Sequence, residues 1–193
     1  MKILDLSNQI DFQKECGKLR DLVEENIVPD FIVGIATGGE YVTKAMNFRP
    51  EAKISIIMRQ RRSTKTKSSL GLKNILPLLP TSIKNILRKL EVLIREVYFI
   101  HFSSKTEERE VIFISGHPLN LNDDSIVLII DDAIDTGATF IDAYNYVRKI
   151  NKKTKIYSAA LSRTFKKPAF EADYILHDRT LIRGPWALDA TTN

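Results

Sequence analysis

The sequence predicts an α/β fold with a doubly wound, mainly parallel sheet, and two observations support this prediction. Short apolar runs rich in β-branched residues have the length of buried strands, and they lie at residues 29–36, 52–58, 110–115, 125–132 and 155–162. Helical segments are expected between and before these runs, at residues 8–26, 41–48, 82–98 and 138–151. Strands that alternate with helices pack as a parallel sheet covered on both faces. Shorter apolar pieces follow at 173–176 and 180–183.

The composition is that of one globular domain. The chain has 193 residues, of which 44% are hydrophobic, and this is enough for a core. Its single cysteine, Cys16, excludes a disulfide within the chain and a thiolate metal cluster, and it fits a reducing setting. The N-terminal segment alternates apolar and charged residues too closely for a signal peptide, and no apolar run approaches the roughly 20 residues that cross a bilayer. We therefore expect one cytoplasmic domain over residues 1–193.

The positive charge of the chain is concentrated in one segment. The formal net charge is +5 with a pI near 9.2, and residues 58–74 carry several basic side chains and no acidic one. Such a segment suits nucleic acid, an acidic membrane surface or a phosphorylated small molecule. A solvated loop is equally compatible with it.

The segment VLIIDDAIDTGATF (127–140) places three carboxylates and a glycine turn at the end of a hydrophobic run. Ligands of open parallel sheets bind beyond the carboxyl ends of the strands. With the strand expected at 127–130, Asp131 and Asp132 lie at such an end, and residues 135–139 form the turn into the next helix. The N–H groups of that turn favour an anion. Carboxylates for sugar hydroxyls beside an amide cradle for phosphate suit a sugar phosphate.

Residues 127–139 resemble the phosphoribosyl pyrophosphate (PRPP) signature of the type I phosphoribosyltransferases over thirteen consecutive positions. This resemblance implies the fold of that family, with PRPP as substrate and Mg²⁺ as cofactor. It implies that Asp131 and Asp132 hold the ribose hydroxyls and help to organise the metal. The 5′-phosphate would bind the turn that consists of Asp135, Thr136, Gly137, Ala138 and Thr139.

Two further segments agree with the resemblance. VGIATGGEYVTKAM (33–46) is similar to the pyrophosphate loop of the family, and its Thr37, Gly38 and Gly39 would present N–H groups to the pyrophosphate. The family also has a lid after the second core strand, and the basic segment lies there. Its candidate substrate contacts are Arg59, Arg61, Arg62, Ser63 and Lys65. PRPP is strongly anionic, so a basic lid is reasonable and nucleic acid becomes an unfavoured partner.

Asp135 occupies the variable position of the signature. In this it resembles the 6-oxopurine enzymes, where the carboxylate handles a proton at purine N7. Attack of a purine nitrogen on the ribose develops positive charge on the ring, and a nearby carboxylate can take or share the proton. The alternative is that Asp135 only caps a helix that begins at Thr136 or Gly137.

The C-terminal segment resembles the base-binding end of the 6-oxopurine enzymes. The resemblance places Ile182 at the purine edge and makes Asp189 a third metal ligand. Two positions depart from the pattern. Leu181 stands where an aromatic residue should stack on the purine, so that Trp186 would supply the ring, and Ser162 stands where a lysine should recognise the 6-oxo group. Lys167, or its neighbour Lys166, would serve instead.

The resemblance covers residues 29–60 and 110–190, and residues 72–104 do not fit it. They carry a helix with a broad apolar face and basic residues outside it, which suits packing on the domain or a partner subunit, or a membrane surface. We interpret this helical insertion, near 76–102, as part of a hood or a subunit contact. A small C-terminal hood and a homodimer are also expected.

The most favoured function is transfer of the phosphoribosyl group from PRPP to a 6-oxopurine-like base with release of pyrophosphate. Two alternatives stay open. One is a PRPP- or nucleotide-sensing regulator on the same fold. The other is a phosphoribosyltransferase for a pyrimidine or a specialised heterocycle.

Overall fold

The computed structural model describes residues 1–60, 80–102 and 108–187. The helices in these residues are α1 (Gln9–Glu24), α2 (Gly38–Met46), α3 (Thr81–Phe102) and α4 (Ala138–Ile150). The strands are β1 (Lys2–Asp5), β2 (Phe31–Ile35), β3 (Lys53–Arg59), β4 (Val111–Gly116), β5 (Ile126–Ile134), β6 (Lys155–Arg163), β7 (Tyr174–Asp178) and β8 (Thr180–Arg183).

The main sheet has the strand order β4-β3-β2-β5-β6-β7. Its neighbouring strands are parallel except at one edge, where β4 runs antiparallel to β3. The predicted mainly parallel α/β fold is therefore confirmed. β4 differs from the inner strands because it lies at the edge, where Phe113 and Ile114 stay exposed.

Helices cover both faces of the sheet, and each face has its own core. α1 and α2 pack on one face, and α4 packs on the other. Because side chains alternate along a strand, Ile32 and Leu128 face the first core while Val33 and Ile129 face the second. These alternating apolar side chains explain why the central strands read as continuous hydrophobic runs.

α1 shows how the local sequence sets a helix in place. The Asn8 side chain accepts hydrogen bonds from the N–H groups of Ile10 at 2.9 Å and Asp11 at 3.3 Å, and this caps the helix. The buried side chains of α1 recur at helical spacing, at Phe12, Cys16, Leu19 and Val23. Burial raises the pKa of the Cys16 thiol to about 12, so this cysteine is a core side chain.

A second, two-stranded sheet forms the small hood that the sequence predicted. β1 pairs in parallel with β8, and Leu4 lies opposite Ile182. An ion pair of 2.7 Å between Arg183 Nη1 and Asp5 Oδ2 joins the same two strands. The hood therefore contains the first residues of the chain, a strand that the sequence analysis did not predict.

α3 is the helix of the predicted insertion. It buries Val92 and Glu96, and the ring of its Phe99 lies 5.9 Å from the ring of Phe165. The helix thus packs beside the segment after β6, and it lines one cavity together with Leu181 and Ile182 of the hood. The single-domain prediction for residues 1–193 is not tested by these features and stays a prediction.

None of the helices in the described parts of the chain is long and apolar enough to span a membrane.

Candidate functional site

The paired aspartates lie within β5, near the carboxyl edge of the sheet. The strand was expected to end between residues 130 and 132, but its pairing with β6 continues to Ile134. Asp131 is 9% exposed and accepts a hydrogen bond of 2.9 Å from the N–H of Asp132. Burial raises the pKa of the Asp131 carboxyl well above its usual value, and the neighbouring Asp132 adds to this. Burial also raises the pKa of Asp132.

The two carboxylates are oxygen ligands of the type that a hard divalent cation takes. Within the described residues no cluster of three or more His, Cys, Asp or Glu side chains could hold a metal. A pair of carboxylates is nevertheless sufficient for Mg²⁺, which commonly binds one or two carboxylates together with substrate phosphates. The site therefore fits a metal that arrives with a phosphorylated substrate. Asp189, the third predicted ligand, lies outside the described residues.

The glycine pair after β2 lies directly against these carboxylates. A side chain at Gly38 would collide with the Asp132 carboxylate, and a side chain at Gly39 would collide with the carbonyl of Ile130. Both glycines are buried, at the beginning of α2, and Thr37 caps this helix without a side-chain hydrogen bond. The predicted pyrophosphate loop and the predicted ribose ligands are thus adjacent. The peptide bond between Ala36 and Thr37 is cis.

The turn from β5 into α4 brings a second helix N-terminus to the same edge. Gly137 is the N-cap of α4. Its φ of 82° lies in the left-handed region that favours glycine, and as a glycine it has no side chain to bond the helix N-terminus. Thr136 Oγ1 accepts a hydrogen bond of 3.3 Å from the N–H of Ala138. α2 and α4, on opposite faces of the sheet, therefore both begin at this edge, where their first N–H groups and dipoles favour an anion.

Asp135 does not cap α4, because the helix begins at Ala138 and the contacts of the carboxylate lie elsewhere. One oxygen, Oδ1, accepts a hydrogen bond from the hydroxyl of Thr164. The other, Oδ2, lies 3.4 Å from Arg95 Nη1 on α3. The geometry therefore does not support the interpretation of Asp135 as a helix cap, and its role towards a ligand stays a prediction.

A cavity of about 240 Å³ lies between α3 and the segment after β8. Leu181, Ile182 and Trp186 line it from one side, and Val92 and Arg95 line it from α3. The ring of Trp186 also packs on Phe12 and Tyr41, at 5.5 and 5.4 Å between centroids. Ile182 and Trp186 are therefore brought together as predicted, with an apolar wall that suits a heterocyclic ring.

Other predicted residues lie away from this cavity. Lys167 is exposed and does not line it, and Ser162 is buried with its hydroxyl donating to the carbonyl of Thr180. Arg59 forms an ion pair with the buried Asp142, which anchors the end of β3 to α4. The remaining predicted lid residues, Arg61, Arg62, Ser63 and Lys65, lie outside the described residues.

A polar network that was not predicted from the sequence ties α3 to the residues around Asp135. Glu96 is 5% exposed and accepts hydrogen bonds from the N–H of Lys166 at 2.6 Å and from Arg179 Nη1 at 2.7 Å. Arg179 also donates to the carbonyl of Thr164, whose hydroxyl contacts Asp135. Glu96 follows the buried Val92 by one helical turn. An acidic residue on the same helix face as a buried valine could have indicated a buried ion pair.

The fold and the site define a phosphoribosyltransferase enzyme, since a sheet edge carries paired aspartates, a signature turn and a facing glycine loop. The family model for the phosphoribosyl transferase domain matches residues 8–174. The chain belongs to this family. No curated protein matches the chain significantly in sequence.

Solved structures share the fold at low sequence identity. A purine phosphoribosyltransferase from Pyrococcus horikoshii is 18% identical with a TM-score of 0.60, and the match covers 100% of this chain and 99% of that one. A xanthine-guanine-hypoxanthine phosphoribosyltransferase from Helicobacter pylori is 16% identical with a TM-score of 0.59, at 96% coverage of each chain. A hypothetical protein from Neisseria gonorrhoeae with bound ppGpp is 14% identical with a TM-score of 0.55, covering 98% and 93%.

Proposed function

We propose that the protein transfers the phosphoribosyl group of PRPP to a ring nitrogen of a 6-oxopurine-like base and releases pyrophosphate. One observation carries this proposal. Gly38 and Gly39 lie against Asp132 and Asp131, so a loop suited to pyrophosphate and carboxylates suited to ribose hydroxyls face one another. A single PRPP molecule needs the loop and the carboxylates next to each other, because its pyrophosphate is attached to its ribose.

In this proposal each part of PRPP has a place at the carboxyl edge. The turn of residues 135–139 and the N-terminus of α4 bind the 5′-phosphate, and Thr37, Gly38 and Gly39 bind the pyrophosphate. Asp131 and Asp132 accept hydrogen bonds from the ribose hydroxyls. The same two carboxylates would hold Mg²⁺, which neutralises charge on the pyrophosphate when bound. The predicted lid and Asp189 would complete the site.

The reaction forms a bond from the base nitrogen to the ribose C1 and breaks the bond from C1 to the pyrophosphate oxygen, which leaves with the electron pair. Positive charge develops on the ribose, and the carboxylates of Asp131 and Asp132 stabilise it. The attacking nitrogen uses its lone pair, so the ring is left with a surplus proton on another nitrogen, and Asp135 takes or shares that proton. Thr164 holds one oxygen of Asp135 and thereby orients the carboxylate.

Replacing Asp135 with asparagine tests this assignment. Asparagine keeps the shape of the side chain but cannot accept a proton, so kcat/KM for the base should fall by roughly 10²- to 10⁴-fold. PRPP affinity should change little. The measurement is pyrophosphate release with PRPP, Mg²⁺ and a panel of bases, alongside calorimetric titration with PRPP.

The matched control is Asp11→Asn, which removes an exposed carboxylate from the first turn of α1, away from the site. Turnover of the control should equal that of the wild type. If Asp135→Asn retained full turnover of every accepted base, the catalytic role of Asp135 would be refuted.

We also propose that a second copy of the chain docks on the outer face of α3. A stripe of apolar side chains runs along the exposed side of α3, and these side chains are between 42% and 64% exposed. They recur at the heptad spacing of a helix-pairing seam, at Ile83, Ile86, Leu90, Leu93, Val97 and Ile100.

A second copy suits this seam better than a lipid surface does. Arg88 and Arg95 line the cavity on the inner side of the helix, so of the three cations Arg88, Lys89 and Arg95 only Lys89 borders the seam, whereas a membrane-binding helix carries several flanking cations. A seam without charge is complementary to itself, and a two-fold axis lets two identical helices pair. The predicted homodimer would use this surface.

Leu90→Asp tests the dimer. A carboxylate at the centre of the seam should weaken association at least ~100-fold, because burial of an unpaired charge is strongly unfavourable. Sedimentation velocity over a range of concentrations measures this shift towards monomer. The control is Ile10→Asp on α1, where the side chain is 75% exposed and outside the seam. An assembly mass that is the same for wild type and Leu90→Asp would refute the seam.

A further inference from the structure

The inserted helix α3 places a guanidinium beside the carboxylate of Asp135. Arg95 Nη1 lies 3.4 Å from Asp135 Oδ2, and Arg95 Nη2 lies 3.4 Å from Glu91 Oε1 on the same helix. The Arg95 side chain is 54% exposed. Ion pairs that are this long and this exposed contribute little to stability, so a ligand can separate them at little cost.

Arg95 lies where the proposed base would meet Asp135. It lines the cavity of about 240 Å³ together with Leu181, Ile182 and Trp186. It also lines the neighbouring hollow that reaches Thr136, in the turn proposed to bind the 5′-phosphate. In the proposed function, a base that attacks the ribose C1 lies beside Asp135, and Arg95 contacts that carboxylate.

The position of Arg95 is fixed by the buried residue that follows it. Glu96 is hydrogen-bonded to the N–H of Lys166 and to Arg179, and it anchors α3 over the segment after β6. Arg95 therefore projects from a firmly held turn of the helix, although its own side chain is half-exposed. This arrangement suits a side chain that exchanges one partner for another when a ligand binds.

Asp135 and Arg95 present complementary hydrogen-bonding groups. Thr164 already occupies Oδ1 of Asp135, so Oδ2 is the oxygen that faces Arg95. A carboxylate only accepts hydrogen bonds and a guanidinium only donates them. Side by side, they match the edge of a heterocycle that has a ring N–H next to an exocyclic oxygen. An exocyclic amino group is itself a donor, so it would face the guanidinium of Arg95 without forming a hydrogen bond.

The lysines that the sequence analysis assigned to this task do not lie beside Asp135. Lys167 is exposed outside the cavity, and Lys166 contributes its backbone N–H to Glu96. In the part of the chain that the structure describes, Arg95 is the cation in contact with Asp135. The inserted helix therefore supplies the donor that would recognise the oxygen of the base.

We propose that Arg95 is the residue that selects bases with an oxygen next to the proton-bearing ring nitrogen. This inference rests on the proposed function and names the base class that the site accepts. On binding, Arg95 exchanges Asp135 Oδ2 for the exocyclic oxygen, and Asp135 becomes available to the ring N–H. The insertion thus takes part in substrate recognition, beyond its role in packing.

Arg95→Gln tests this inference with hypoxanthine, guanine and adenine as the probes. In the wild type, kcat/KM for the two oxo bases should exceed that for adenine. The variant should lose about 10- to 100-fold in kcat/KM for the oxo bases, because a hydrogen bond from a charged donor is lost, and it should lose nothing for adenine. PRPP affinity measured by calorimetry should stay unchanged. Arg95→Lys, which keeps the charge, should recover part of the loss.

The matched control is Lys89→Gln on the same helix, since Lys89 does not line the cavity. It should behave as the wild type does. An unchanged ratio of oxo-base to adenine turnover in Arg95→Gln would overturn the inference. A loss confined to PRPP affinity would overturn it too, because Arg95 would then bind phosphate.

Base binding can be followed without turnover through Trp186, the one tryptophan of the chain, which lines the cavity. If the wild type releases pyrophosphate with none of the bases, the proposed function fails. The fluorescence of Trp186 then still measures whether Arg95 makes the protein prefer oxo bases. Tighter binding of oxo bases that Arg95→Gln removes would support the inference. Equal binding of oxo and amino bases by the wild type would overturn it.

Discussion

Gly39→Ala is expected to destabilise the protein by about 3 kcal/mol and to abolish PRPP binding. The added β-carbon would collide with the carbonyl oxygen of Ile130 and lie 2.9 Å from the α-carbon of Asp131. Both are backbone atoms of β5, which is paired on one side with β2 and on the other with β6. Because these atoms cannot move without loss of strand pairing, the cost should reach the upper end of the usual 1–3 kcal/mol for overpacking. Urea denaturation and calorimetric titration with PRPP measure the two effects.

Gly17→Ala is the matched control because it adds the same single methyl group in the interior of α1. No atom lies within 4 Å of the β-carbon that it would introduce. Alanine is favoured over glycine inside a helix by about 0.5–1 kcal/mol, so the control should be slightly more stable than the wild type. If Gly39→Ala were as stable as Gly17→Ala and still bound PRPP, the close approach of the loop to β5 would not be functionally important.

The features that the sequence predicted well are local. The strand, turn and helix of residues 125–151 are contiguous, and their hydrogen-bonding and conformational preferences lie within that segment. The adjacency of Gly38 to Asp132 followed from one general rule, that the carboxyl ends of parallel strands meet at one edge. The adjacency of these segments could therefore be predicted from the sequence, and the roles of their residues towards a ligand stay predictions.

The hood could be predicted only in part, because its pairing is not local. β1 and β8 are four residues each, and they pair from opposite ends of the chain. Segments this short carry little periodicity, so neither the existence of β1 nor its partner could be read from residues 2–5. The contribution of Ile3 to the wall of the cavity of about 240 Å³ could not be predicted for the same reason.

The apolar pattern predicted that α3 is a helix but did not reveal which face contacts the domain. The broad apolar face is exposed, and the opposite face is buried through Val92, Glu96 and Phe99. Packing on that side is set by the partners of Glu96, which lie 70 and 83 residues further along the chain. A local sequence pattern cannot predict contacts between residues so far apart in the chain. The contact of Arg95 with Asp135 could not be predicted for the same reason.

The buried carboxylate of Glu96 leads to the second large effect. Glu96→Gln keeps the size of the side chain but leaves Arg179 without its charged partner. Removing one member of a buried pair costs roughly 3–5 kcal/mol, and because the Arg179 side chain is 22% exposed we expect a loss of about 2–3 kcal/mol. Thr164, which accepts from Arg179, should shift, and Asp135 should lose its orientation, so kcat should fall as well.

The loss of stability in Glu96→Gln should depend on pH. Burial raises the pKa of Glu96, but the hydrogen bonds from the N–H of Lys166 and from Arg179 lower it more, so that the pKa in the folded protein lies below its usual 4.5. A carboxyl with a lowered folded pKa stabilises the protein fully above the unfolded pKa, and this contribution is lost as the pH falls through the folded pKa. The difference in unfolding free energy between wild type and variant should therefore be constant from neutral pH down to about 4.5 and shrink below it.

Denaturant unfolding of both proteins between pH 3 and pH 8 measures this difference, with roughly a tenfold change in the folding equilibrium for each 1.4 kcal/mol. The control is Glu91→Gln on the same helix, whose side chain is 67% exposed and pairs only at the surface with Arg95. Surface pairs contribute about 0–1 kcal/mol, so Glu91→Gln should change stability slightly and without the same dependence on pH. Equal effects of the two variants would mean that α3 is held by its apolar contacts alone. A larger, pH-dependent effect of Glu96→Gln would mean that the ion pair between Glu96 and Arg179 holds the inserted helix in place.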